Sequence, residues 1–198
     1  MIRLSALVLS LLAAAPALAF DPSTEAVIEA SKVGKPVPID MVADLMMNSV
    51  RWCYAQQDTA CAWSEIYLGV HGNEVEFEIS TPWSDAVDIF HVNHGRLREG
   101  RFICETNHDW IPSLRAYGST DGYEVGGRDL AALKLEIGQW TDFAATPNCF
   151  DYVFRGADEA AETIDLMQRQ YTDGVTDPAN DVLVTLHFNP QTAIGLTR

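Results

Sequence analysis

The stretch from Ile66 to Ile79 leaves a chain little local choice. Ile66, Leu68 and Val70 alternate with other residues, His71-Gly72-Asn73 makes a turn, and Val75, Phe77 and Ile79 alternate with Glu74, Glu76 and Glu78. Two-residue periodicity on both sides of a glycine-containing turn is the signature of a β-hairpin, because successive side chains of a strand point to opposite faces. The pattern gives the hairpin one apolar face for a core and one face carrying carboxylates.

Around this hairpin the periodicities alternate between helix and strand. Residues 21–33 read as a short helix with Ser23 or Thr24 as its cap, and Gly34-Lys35-Pro36-Val37-Pro38 is a stiff break. Ile39, Val42, Ala43, Met46, Val50 and Cys53 recur at three- and four-residue steps, which predicts a helix. Pro82 ends the hairpin, residues 85–93 and 101–106 form a strand pair across a turn at 95–100, and a short strand follows at 113–117. Residues 129–139 are read as a helix, although Leu133, Leu135 and Ile137 also alternate. Cys149 to Phe154 is a strand. Ala157, Ala160, Ala161, Ile164 and Tyr171 then lie on one helical stripe, with Gly174 as a stop. Val182, Val184, Leu186 and Phe188 make a last strand. Strands joined by short turns are antiparallel neighbours, so the expected fold is α+β: an antiparallel sheet of about five to seven strands with helices packed mainly on one face.

The amino end predicts export. Met1-Ile2-Arg3 is a short charged start, Leu4 to Leu18 is almost entirely apolar, and Ala17-Leu18-Ala19 supplies the small residues a signal peptidase reads. Residues 1–19 are therefore expected to be a signal peptide, and 20–198 a single globular α+β domain, periplasmic or secreted. No later apolar run is long enough to span a membrane. The formal net charge of −15 repels phosphate backbones and makes nucleic acid a poor partner. Four cysteines in an exported chain point to disulfides, and no C-x-x-C suggests a redox pair or zinc knuckle. The expected pairs are Cys53 with Cys61, a local staple, and Cys104 with Cys149, which joins the early sheet to the later strands.

Residues for chemistry are sparse. The chain holds no G-x-S-x-G, no S-x-x-K, no Gly-rich phosphate loop and no H-E-x-x-H. His91, Glu105, His108 and Asp109 fall in or beside the central strand pair and are the candidate catalytic set of a small hydrolase, possibly metal-assisted. Regular strands do not bring such residues onto one face, so they are expected to be hydrogen-bonded structural groups, with no metal and no cofactor. Trp83 and Trp110 sit beside proline-containing loops near Asp85 and Asp109, where an aromatic platform can meet a ligand. Without a catalytic motif, the sequence favours a non-enzymatic binding protein whose partner is a small ligand or an envelope protein.

Overall fold

A computed structural model describes residues 19–106, 109–142 and 145–197. Among them the elements run α1 (Pro22–Ala30), α2 (Ile39–Asn48), β1 (Arg51–Tyr54), β2 (Trp63–His71), β3 (Glu74–Ser84), β4 (Val87–Arg98) and β5 (Phe102–Glu105). They continue with β6 (Arg115–Gly118), α3 (Gly127–Trp140), β7 (Cys149–Asp158), β8 (Thr163–Thr172), β9 (Val175–Thr176), β10 (Val182–His187) and α4 (Pro190–Ile194). The expected signal peptide lies outside the described residues except for Ala19.

Every strand pairing is antiparallel, in the spatial order β10-β1-β2-β3-β4-β5-β7-β8, and β8 pairs back onto β10 from Gln168–Val182 to Thr163–His187. That last ladder closes the sheet. Eight strands form an up-and-down barrel, while β6 pairs with β4 and β9 with β8 at its margin. Closure removes the unpaired strand edges that an open sheet must protect.

The expected sheet of five to seven strands with helices on one face is therefore corrected to a ten-stranded sheet with four short helices among the described residues. The largest single cause is residues 157–171, which form a hairpin and not a helix. The Ala- and Glu-rich run is the end of β7 and its turn, where Asp158 Oδ1 accepts from the amides of Ala160 and Ala161 at 2.9 and 3.0 Å. Beyond it Ile164, Leu166 and Gln168 are buried, while Asp165, Met167 and Arg169 between them are only half-buried, which is a strand period. The helix predicted from Ile39 stops at Asn48, and Trp52 and Tyr54 belong to β1. Pro82 does not end β3. It pairs with Asp88 beside a bulge, where the missing N–H is tolerated.

The barrel has two unlike ends. The β2–β3, β4–β5 and β7–β8 turns cluster at one end, together with α1 and α2. Val27, Val42, Leu45 and Met46 from these helices pack there with Phe154, Ile164 and Leu186. Asp21 caps α1, its Oδ1 accepting from the amides of Ser23 and Thr24. The stiff segment before α2 lies along β7: Gly34 and Val37 donate to the carbonyls of Phe154 and Tyr152 at 2.8 Å each. Phe20, the expected first residue after cleavage, is buried edge-to-face on Phe188, with centroids 5.1 Å apart.

Longer connections emerge at the opposite end. There the β3–β4 hairpin overshoots the barrel and carries β6 and α3, with a small second core of Ile89, Leu114, Ala116 and Ile137. Both disulfides form in the expected pairs, Cys53–Cys61 and Cys104–Cys149. The second crosses the shortest ladder of the barrel, where β5 meets β7 through only Ile103–Phe150 and Cys104–Cys149.

Candidate functional site

The open end leads into a cavity of about 310 Å³ inside the barrel. Eight strands enclose a lumen just wide enough either to be filled by side chains or to hold one small ligand. Here the lower half is filled and the upper half is not. Trp63, Tyr67, Phe77, Phe150 and Tyr152 supply aromatic walls, and Glu65, Glu105, Asn148, Gln168 and Gln170 supply polar groups.

The lining follows from strand phase. On β3, Val75, Phe77 and Ile79 point inward as their alternation predicts, and on the outer face Glu74 pairs with Arg96 and Glu78 with Arg115. On β2 a bulge between Tyr67 and Gly69 shifts the register by one residue. Val70 is therefore inward as expected, but before the bulge the inward residues are Trp63, Glu65 and Tyr67. Ile66 lies on the outer face, and Leu68 is 50% exposed. A one-residue shift exchanges the faces of a strand, and here it brings a carboxyl into the lumen.

Glu65 sits at the centre of a hydrogen-bonded set contributed by four strands. Tyr54 and Tyr67 donate to its Oε2 at 2.8 and 3.0 Å. Gln168 Nε2 donates to the hydroxyls of Tyr54 and Tyr152 at 3.3 and 3.2 Å. Trp63 stacks on Tyr54 with centroids 4.7 Å apart, and Trp52 meets Tyr67 and Tyr152 edge-on below the cavity. Burial pushes the Glu65 carboxyl up to about 7; the two tyrosine hydrogen bonds pull against this, and the nearby Glu105 charge adds to it. Burial also raises Glu105, which accepts from Asn148 Nδ2 at 3.4 Å. All three tyrosines are held above the ordinary phenol range, first by burial and then by the Glu65 charge, so they remain donors.

The residues singled out from sequence are placed elsewhere, with one exception. Glu105 lines the lumen. His91 shares its face of the sheet, but Glu105 stands opposite Gly95, four residues along β4 from His91 and roughly 13 Å away at strand rise. The His91 ring stacks on Trp110 with centroids 4.0 Å apart, and burial lowers its imidazole to about 4. Asp109 accepts from the amide of Ile111 at 3.1 Å, a local turn contact just before a single 3₁₀ turn. His108 lies outside the described residues. Trp83 and Trp110 both pack on the second core, and Trp110 also lines a smaller pocket of about 150 Å³ with Glu105 and Asn148. Among the described residues no three of His, Cys, Asp and Glu converge to hold a metal.

Tyr54, Trp63, Glu65, Tyr67, Tyr152 and Gln168 were not legible as site residues. The signal that marks them is a polar or phenolic group in the inward phase of a strand: Tyr54 on β1, Glu65 and Tyr67 on β2, Tyr152 on β7 and Gln168 on β8. No family model, no curated protein and no solved structure matches this chain.

Proposed function

We propose that the protein is an exported, non-enzymatic binding protein that holds a small molecule in the lumen of its barrel. One observation carries this reading. A cavity of about 310 Å³ is enclosed by a closed sheet, plugged at one end by helices, and walled by aromatic rings around a few oriented polar groups. Ligand pockets in proteins have this composition, mostly apolar with a small number of placed polar groups, and this volume is at the lower end of their range. A share of about 30 Å³ per water makes it room for about ten waters, so the guest has on the order of ten non-hydrogen atoms.

Two further features support export. The two disulfides suit an oxidising compartment, and the small residues Ala17 and Ala19 fit a signal-peptidase site. In this reading residues 1–19 are the signal peptide, 20–198 are one domain, and the site of action is the periplasm or the extracellular medium.

Native mass spectrometry of protein isolated from its own compartment tests the reading. The expected result is one small molecule per chain, displaced on denaturation. Thr81→Trp at the rim of the cavity should remove it while leaving the circular dichroism spectrum unchanged. A guest retained in full by Thr81→Trp places the ligand outside the lumen and defeats the proposal.

A further inference from the structure

The lumen has a sign. Glu65 and Glu105 face it, and among the described residues no lysine, arginine or histidine lines it. Glu65 is 8% exposed, and both of its protein donors converge on Oε2, so no described residue donates to Oε1. Three amide side chains of the lining already have partners, Asn148 Nδ2 donating to Glu105 Oε2 at 3.4 Å. Gln168 Nε2 serves two tyrosines, and Gln170 Nε2 is directed at Asn148 Oδ1 at 3.2 Å. The two carboxyls and the negative ring faces of the lining are the complement of a cation rich in N–H groups.

Resting on the binding function above, we propose that the guest is a small organic amine in its protonated form. Its ammonium donates to Glu65 Oε1, and its apolar body lies among Phe77, Phe150 and Ile79. An alcohol of the same shape can donate one hydrogen bond but leaves the carboxylate without a counter-charge, which is costly in an enclosed site. A carboxylic acid meets two carboxyls at close range and is repelled.

Isothermal titration at pH 8 with 2-phenylethylamine, 2-phenylethanol and 3-phenylpropionate distinguishes these guests. The amine should bind about tenfold or more tightly than the alcohol, the gain of a charge-assisted over a neutral hydrogen bond, and the acid should not bind. Glu65→Gln should bring the amine to within about threefold of the alcohol while alcohol binding persists. The wild type supplies a second readout that does not depend on the variant folding. Its titratable neighbours facing Glu65 are Tyr54, Tyr67, Tyr152 and Glu105. At pH 6.5 the amine must expel a proton held in the lumen, so titrations in buffers of different ionisation enthalpy should show proton release with the amine and none with the alcohol. Equal affinities for amine and alcohol without proton release overturn the amine assignment and leave the lumen as a neutral site. Failure of all three compounds to bind overturns both the assignment and the binding function. Thr81→Trp identifies any binding outside the lumen, which counts against both.

Discussion

Replacing Glu65 by Gln should change how stability depends on pH more than it changes stability at any one pH. The variant keeps an acceptor for Tyr54 and Tyr67, at 2.8 and 3.0 Å in the wild type, and removes only the ionisable group. Burial raises the folded-state value from 4.5 to about 7, so the folded wild type keeps a proton across that interval that the unfolded chain has released. Folded protein then binds more protons than unfolded, and stability falls as pH rises. The contribution is fully present below about pH 4.5 and is lost by the time pH has passed through about 7. At 1.36 kcal/mol for each tenfold change in acidity, the loss is about 3 kcal/mol. His91 works in the opposite direction. Its folded-state value is lowered by burial from 6.5 to about 4, so its contribution is present above 6.5 and lost as pH falls toward 4, again by about 3 kcal/mol. The two nearly offset each other between pH 4.5 and 6.5, so the absolute profile of the wild type hides both. Urea unfolding followed by tryptophan fluorescence at half-unit steps from pH 4 to 8 should therefore be read as the difference between wild type and Glu65→Gln. That difference should decline by about 3 kcal/mol from pH 4.5 to 7. A difference independent of pH would mean that water in the lumen solvates Glu65 fully, and the burial reasoning would fail.

Two further predictions concern what holds the barrel shut. Removing Cys104–Cys149, which closes a separation of 45 residues, should cost about 4 kcal/mol on the chain-entropy estimate, against about 2.5 for Cys53–Cys61 at a separation of 8; Cys→Ser pairs compared by urea midpoints check the order, and a larger loss from the short loop refutes it. On the outer face Asp151 is fully buried and bound by Arg169 at 2.7 Å through both oxygens and by Arg101 Nε at 2.7 Å, so Asp151→Asn should cost about 2 kcal/mol, less than a fully buried pair because both arginines reach solvent. An Asp151→Asn midpoint indistinguishable from that of the wild type would show that the β7–β8 hairpin does not rely on this carboxylate.

Strand phase was legible wherever it was simple. The β2–β3 turn, the inward face of β3 and the last strand follow from periodicity; α3 was decided by helix propensity where the periodicity also fits a strand, and the cysteine pairs are the expected ones among the three that four cysteines allow. The β7–β8 hairpin did not follow, because residues 157–162 are rich in Ala and Glu. Intrinsic helix propensity there amounts to a few tenths of a kcal/mol per residue, and pairing along the whole length of β7 and β8 outweighs it. Closure was also invisible. It depends on β10 returning to both β1 and β8, contacts between residues more than a hundred positions apart for β1, which no local window reports.

The lumen was concealed by the same physics that makes it useful. In a filled core the inward face of a strand is apolar, so a sequence reader assigns Ile66 and Leu68 to the inside and Glu65 and Tyr67 to water. A barrel that keeps a cavity inverts the rule over the length of that cavity. Its inward positions include the groups that orient a guest, and the apolar residues beside them pass to the outer face. On β2 the inversion lasts from Trp63 to Tyr67 and ends at the bulge, after which Val70 points in and the filled half of the barrel begins. The bulge thus coincides with the boundary between the cavity and the plug. A strand whose polar alternation changes phase at one residue is therefore a sequence sign of a lumen that is part site and part core. Glu65 stands on the cavity side of that boundary, where its carboxyl faces the lumen and not the packed end of the barrel.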